Sequence, residues 1–127
     1  MGKEPIIVAG GEPNSIFLEI FFKSLKTNIF KSPLIIIVSK KLLQQQMEKL
    51  NFDFEINDID KKLKDFSKLN NNKINLINVD YDFKKCFEKI TDKSNNYINE
   101  TFETALNIFK KIIFQNLLMV QSLKNIF

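Results

Sequence analysis

The sequence contains no histidine, no arginine and no tryptophan, and only one cysteine among its 127 residues. Without histidine, the side chain that most often serves as a general base and as a metal ligand is missing. The single cysteine, Cys86, cannot form an internal disulfide and has no histidine to activate it as a nucleophile. We therefore expect Cys86 to be a core residue. We also expect this chain to provide neither a metal site nor a catalytic site.

The absence of arginine also bears on nucleic-acid binding. The net charge of +4 comes from lysine alone, and the lysines are scattered among fifteen acidic residues. Proteins that bind nucleic acids usually concentrate basic residues on one face and use arginine for bidentate contacts. The charge pattern therefore predicts no nucleic-acid partner.

Long apolar runs are missing as well. The longest, Pro33–Val38, is far shorter than the roughly 20 residues that a membrane-spanning helix needs. The start, Met1-Gly2-Lys3-Glu4, is too short and too polar for a signal peptide. We therefore expect a cytoplasmic protein without a membrane partner.

The residues that are present predict an α/β fold. Short apolar runs, typical of buried parallel strands, alternate with segments of helical periodicity. The predicted strands are Pro5–Ala9, Leu34–Val38, a half-exposed edge strand Phe52–Ile56, Ile74–Val79 and Phe114–Val120. This alternation indicates a three-layer α/β domain, with a mostly parallel sheet and helices on both faces. Ile6–Val8, Leu34–Val38 and Leu76–Val79 should be adjacent.

Three helices are predicted between these strands. The first has apolar positions at Ile16, Phe17, Ile20, Phe21 and Leu25, and Asn14 or Ser15 can cap it. The second begins at the cap Ser39 and contains Leu42, Leu43, Met47 and Leu50, with Gln44–Gln46 on an exposed face. The third runs from Asn99 to Lys111 with Phe102, Ala105, Leu106 and Phe109 inward. Phe17, Phe21, Phe102 and Phe109 then form an aromatic stripe in the core.

One turn has the composition of a ligand site. Between the first strand and the first helix lie Gly10, Gly11, Glu12, Pro13, Asn14 and Ser15. Ligands of open α/β sheets gather at the carboxyl ends of strands, where helix N-termini present free amides to anions. The same residues also suit a plain strand-to-helix turn, and they match neither Gly-x-Gly-x-x-Gly nor the P-loop pattern. A second polar group, Asp53, Glu55, Asp58 and Asp60, is interpreted as a solvated edge.

The same turn carries a resemblance to a known family. The stretch from Pro5 to Leu25 resembles the opening of the 4-hydroxythreonine-4-phosphate dehydrogenases, which has a strand, a Gly-(Asp/Glu)-Pro-(Ala/Asn)-(Gly/Ser)-Ile segment and a helix carrying a glutamate. The matching residues are Gly11, Glu12, Pro13, Asn14, Ser15 and Ile16, followed by Glu19. The segment from Ser94 to Ala105, with Tyr97, is similar to the family's Gly-x-Tyr helix, although Asn96 replaces the glycine.

This resemblance implies a fold like that of isocitrate and isopropylmalate dehydrogenases, and a homodimer. It also implies an NAD-dependent oxidation and metal-assisted decarboxylation of 4-phosphooxy-threonine, a small phosphorylated substrate, in pyridoxal phosphate (vitamin B6) biosynthesis. In the family a divalent metal is held by histidines and a Gly-His-Thr segment binds substrate. None of these residues exists in this sequence, so NAD and the metal are not expected to bind this chain alone.

The resemblance further implies an incomplete protein. Residues 1–118 correspond to the N-terminal part of the dehydrogenase α/β domain, whereas residues 119–127 fit nothing in the family. Regrouping AT-rich codons for Met119 onward by one base gives Asn-Gly-Pro-Ile, which is the family's continuation. We therefore expect residues 119–127 to be an out-of-frame tail, which resequencing of the locus would test.

Two alternatives of other classes stay open: a stand-alone α/β module that binds phosphate at the turn from Gly10 to Ser15, and an inert remnant. Titration with phosphate would separate them, since only the module would bind.

An open sheet edge would also make the chain marginally stable or poorly soluble.

Overall fold

The computed structural model describes residues 5–10, 16–27, 32–62, 66–81 and 92–126, with side chains of the last range described for 96–114. Within these residues the chain alternates between strands and helices in the predicted manner. The elements are β1 (Ile6–Ala9), α1 (Phe17–Thr27), β2 (Leu34–Val38), α2 (Lys40–Lys49), β3 (Ile56–Asp58), a short 3-10 helix (Phe66–Lys68), β4 (Ile74–Asn78) and α3 (Asp92–Ile126).

The four strands form one parallel sheet in the order β1-β2-β4-β3. Ile36 in β2 is paired with Val8 on one side and Leu76 on the other. The predicted adjacency of the three apolar runs is therefore confirmed. Consecutive side chains of a strand point to opposite faces, yet every residue from Ile35 to Val38 is buried, so both faces of the sheet are covered.

The helices supply the two covering layers. The connections from β1 to β2 and from β2 to β3 run in the same direction across the sheet, so right-handed crossovers place α1 and α2 on one face. These two helices pack against each other, whereas α3 packs against β1 and β2. The predicted three-layer α/β architecture is confirmed. No helix in the described ranges combines the length and the apolar character that crossing a membrane requires.

The segment Phe52–Ile56 is the first departure from the predicted elements. The strand begins only at Ile56, which pairs with Ile74, and extends to Asp58. Phe52 and Phe54 instead stack on each other at 5.9 Å and pack against the fully buried ring of Phe22 in α1. The alternating apolar residues of this segment are therefore aromatic rings that pack into the core against α1.

The inward face of α3 also differs from the prediction. Phe102, Leu106 and Phe109 are exposed, with 51%, 57% and 51% of their surface accessible. The buried residues are Tyr97, Thr101, Ile108 and Ile112. Both sets repeat at helical spacing, so periodicity alone cannot say which set faces the sheet. The aromatic stripe is thus core only at Phe17 and Phe21.

Helix α3 is also longer than predicted. It continues to Ile126, so the strand expected at Phe114–Val120 is wrong. The segment contains leucine, methionine and glutamine, which favour helix, and no glycine or proline ends the helix before it.

The other two helices show smaller corrections. In α1, Leu18 and Phe22 face the core beside Phe21, while Ile16 and Ile20 are exposed. In α2, Gln46 is buried, because it follows Leu42 by one helical turn on the core side. Gln44 and Gln45 are exposed as predicted, and Ser39 caps the helix by accepting a hydrogen bond from the Leu42 amide.

Candidate functional site

The topology marks one edge of the sheet as the place for a ligand. The chain leaves β2 through α2 on one face and leaves the neighbouring β4 towards α3 on the other. The carboxyl ends of β2 and β4 therefore flank a topological switch point, where open α/β sheets usually bind their ligands. The residues at and just after these strand ends, Ser39, Lys40 and Asn78–Tyr81, form the candidate site at this edge.

Hydrogen bonds join these residues into one cluster. The side-chain oxygen of Asn78 accepts from the Lys40 amide at 2.8 Å, and its side-chain nitrogen donates to Asp80 at 2.9 Å. The Tyr97 hydroxyl of α3 accepts from the buried Ser39 amide, also at 2.8 Å. These hydrogen bonds connect the start of α2 both to the end of β4 and to α3.

The same hydrogen bonds limit how many amides at the start of α2 are free to bind a ligand. The amides of Ser39, Lys40 and Leu42 donate to Tyr97, Asn78 and the Ser39 hydroxyl, respectively. A phosphate binds a helix N-terminus through free amides of this kind. Because an anion would have to displace three internal acceptors, we interpret this end of α2 as a structural junction.

Tyr97 has a clearly perturbed pKa. Burial raises the pKa of Tyr97 above its ordinary value of 10.0; the hydrogen bond from the Ser39 amide lowers it, and the nearby Tyr81 raises it further. The two tyrosine rings lie 4.9 Å apart. The phenol is therefore neutral at physiological pH and acts as a fixed acceptor.

Replacing Tyr97 by phenylalanine should change how stability depends on pH. At neutral pH the buried Ser39 amide loses its acceptor, which should cost about 1–2 kcal/mol. In the wild-type chain the pKa of Tyr97 is higher in the folded than in the unfolded state, so above about pH 10 the free energy of unfolding falls as pH rises, by up to about 1.4 kcal/mol per pH unit. Chemical denaturation of both proteins at several pH values would measure this. Identical slopes above pH 10 would contradict the role of Tyr97.

The first residue of the predicted ligand turn lies at the same edge of the sheet, at the end of the neighbouring strand β1. This residue, Gly10, is buried, and its amide donates to the Ile37 carbonyl at 2.8 Å. A β-carbon on Gly10 would lie 2.9 Å from the Val38 side chain, so the close approach of β1 to β2 requires glycine. Gly11, Glu12, Pro13, Asn14 and Ser15 lie outside the described residues, as does Cys86.

The acidic residues of β3 and its flanking loops, Asp53, Glu55, Asp58 and Asp60, are exposed, as predicted. Asp58 pairs with Lys40 at 2.8 Å and Glu55 with Lys73 at 3.3 Å. Such surface pairs contribute little to stability. Among the described residues, no three histidine, cysteine, aspartate or glutamate side chains converge to hold a metal ion.

The cluster around Asn78 was not predicted from the sequence, although part of its signal is visible there. The sequence indicates Ser39 as a helix cap and Tyr97 as part of a family-like helix, but it does not connect the two residues. A polar residue at the end of an apolar strand, such as Asn78, is the pattern that could have indicated the site.

These features define a class of protein: a parallel α/β domain with a polar junction and a glycine-containing turn at its carboxyl edge. Neither a protein-family model nor a curated protein sequence matches the chain. Its fold is similar to the crystal structure of a 4-hydroxythreonine-4-phosphate dehydrogenase from Burkholderia phymatum, with a TM-score of 0.68 and 16% sequence identity. The match covers 82% of this chain and 32% of the dehydrogenase chain. The likeness establishes the fold, which corresponds to about a third of that enzyme.

Proposed function

We propose that the chain is the N-terminal part of an NAD-dependent 4-hydroxythreonine-4-phosphate dehydrogenase and that this part is inactive alone. The fold similarity to the Burkholderia phymatum enzyme carries the proposal. The stretch from Gly11 to Ile16 supports it independently, because that resemblance lies in the residues and not in the fold. The complete enzyme would oxidise and decarboxylate 4-phosphooxy-threonine on the route to pyridoxal phosphate.

Within such an enzyme, the turn from Gly10 to Ser15 is the part of this chain that would face the ligand. Two helices begin at the described carboxyl edge of the sheet, α1 after this turn and α2 after Ser39. The first amides of α2 already have internal acceptors. The turn before α1 is therefore the better candidate for contact with the substrate phosphate, since a helix N-terminus favours anions.

The cofactors of the proposed reaction do not fit the residues present here. The metal would polarise the substrate oxygens as a Lewis acid, but the 127 residues contain no histidine to hold it. The sequence also lacks a dinucleotide-binding glycine motif. We therefore assign the metal and NAD sites to parts of the enzyme that this chain does not contain.

The proposal is tested by assaying the purified chain with 4-phosphooxy-threonine, NAD and a divalent metal. We expect no NADH above background, whereas the Burkholderia phymatum dehydrogenase serves as the positive control. Circular dichroism of the same sample would show that the assayed chain is folded. NADH formation by the folded chain, dependent on the substrate, would overturn the proposal that it is inactive alone.

A further inference from the structure

The direction of the crossovers indicates where the sheet would continue after α3. Helices α1 and α2 lie on one face and connect strands in the direction from β1 to β3, whereas α3 leaves β4 on the opposite face. A right-handed crossover on that opposite face leads the chain the other way, from β4 towards β1. The positions on this side of β4 are already held by β2 and β1, on which α3 packs. A further parallel strand after α3 therefore has its place beyond β1.

The burial of β1 agrees with a strand in that place. All of its residues are apolar, which is typical of strands inside a parallel sheet. Ile6 is nevertheless 46% exposed, and the other residues of β1 are only partly buried, whereas most residues of β2 and β4 are fully covered. Within the described residues, β1 has β2 as its only neighbour. Strand β1 thus has the composition of an internal strand and the exposure of an edge strand.

The opposite edge of the sheet, formed by β3, has the features of a natural sheet end. Strand β3 is only three residues long, and its last residue, Asp58, forms an ion pair with Lys40. Short strands and charged side chains commonly protect an edge against further pairing. Strand β1 contains no charged residue. The two edges therefore differ, and the β1 edge is the one suited to extension.

The hydrogen bonds to β2 show which backbone groups of β1 are available for pairing. The amides of Ile6 and Gly10 donate to carbonyls of the β2 segment, at 2.9 and 2.8 Å. The backbone groups of successive strand residues alternate in direction, so those of Val8 also point towards β2. The N–H and C=O groups of Ile7 and Ala9 point away from β2, to the outer edge of the sheet.

We propose that the part of the enzyme that this chain does not contain supplies a parallel strand that pairs with the outer edge of β1. This strand bonds to the outward groups of Ile7 and Ala9. Because parallel strands end at the same edge of a sheet, the residues that follow it lie beside Gly10, next to the proposed ligand turn. The inference rests on the proposed function, since it takes the chain as about a third of a longer enzyme.

Hydrogen exchange of this chain and of the intact Burkholderia phymatum dehydrogenase tests the pairing. In the chain alone, the amides of Ile7 and Ala9 should exchange at least roughly tenfold faster than that of Val8. In the intact enzyme, the amides aligned with Ile7 and Ala9 should be as slow as the one aligned with Val8. Fast exchange of those two amides in the enzyme would overturn the pairing, as would slow exchange of Ile7 and Ala9 in the chain alone. Neither result would alter the NADH assay that tests the proposed function.

Proline substitution gives a second measurement on the same strand. Ile7→Pro removes an outward amide and should leave this chain folded, because proline is tolerated where a strand N–H faces solvent. Val8→Pro removes an amide that points towards β2 and should abolish the cooperative unfolding transition. In the intact dehydrogenase, proline at the position aligned with Ile7 should lower the unfolding midpoint, since that amide is paired there. Equal effects of Ile7→Pro and Val8→Pro in the chain, or an unchanged midpoint in the enzyme, would overturn the proposal.

Discussion

Replacing Asn75 by alanine should lower the free energy of unfolding by about 3–5 kcal/mol. This fully buried side chain of β4 uses all four of its hydrogen-bonding positions. Its oxygen accepts from Asn57 at 2.9 Å and from the Asn70 amide at 2.8 Å, and its nitrogen donates to the carbonyls of Leu34 and Asn70, both at 2.9 Å. Alanine would remove one hydrogen-bond partner from each of these partly buried groups. Because a domain is typically stable by only about 5–15 kcal/mol, the variant should be close to unfolding.

A matched substitution separates the network from a general effect of losing asparagine. Asn71 lies in the same loop region but is exposed, so Asn71→Ala should change stability by less than about 0.5 kcal/mol. Urea denaturation of the three proteins measures both effects. A loss below about 1 kcal/mol for Asn75→Ala would mean that water or neighbouring groups replace the network.

The second large effect should come from the sheet-facing side of α3. Ile108 is completely buried between this helix and the sheet, so Ile108→Ala should cost about 2–5 kcal/mol through lost burial and the cavity left behind. The exposed Leu106, two residues earlier on the same helix, gives the matched control. Leu106→Ala should cost less than about 1 kcal/mol, since leucine and alanine both favour helix.

Both α3 variants should be measured at the same low protein concentration, so that self-association does not contribute. Thermal or urea unfolding then reports only the packing within one chain. Equal losses for the two variants would contradict the face assigned to α3. A larger loss for Leu106→Ala would restore the face predicted from the sequence, with Leu106 inward.

The sheet could be predicted from the sequence because its signals are local and unambiguous. Five consecutive apolar residues from Leu34 to Val38 indicate a strand buried on both faces. Helical segments before and after this strand indicate crossover connections, and strands joined by such crossovers pair in parallel. The position of Gly10 at the end of β1 follows from the same pattern, because an apolar run that ends in glycine marks a turn.

The faces of the helices could not be predicted in the same way. Helix α3 has two stripes at helical spacing, and the stripe with the larger apolar residues is the one that faces outward. The inward stripe includes Thr101, whose hydroxyl donates to the Ile98 carbonyl, and Tyr97, which accepts from Ser39. Such polar residues enter the core only because tertiary contacts satisfy them, and hydrophobicity alone does not reveal those contacts.

The candidate site shows the same limit. The unusual composition of the turn from Gly10 to Ser15 is visible in the sequence, and so is the position of Ser39 before a helix. The junction of Asn78 with Lys40 joins residues 38 positions apart, and the contact of Tyr97 with Ser39 joins residues 58 apart. Only the order of strands in the sheet brings these pairs together.

The most direct test of the central claim is a solution measurement of how the strands pair. The claim is that the chain has a parallel sheet in the order β1-β2-β4-β3, arranged as in part of the dehydrogenase. Nuclear Overhauser effects between backbone protons should connect Ile36 to both Val8 and Leu76, in the parallel pattern. Contacts in an antiparallel pattern, or helical contacts throughout Leu34–Val38, would contradict the fold and the function proposed from it.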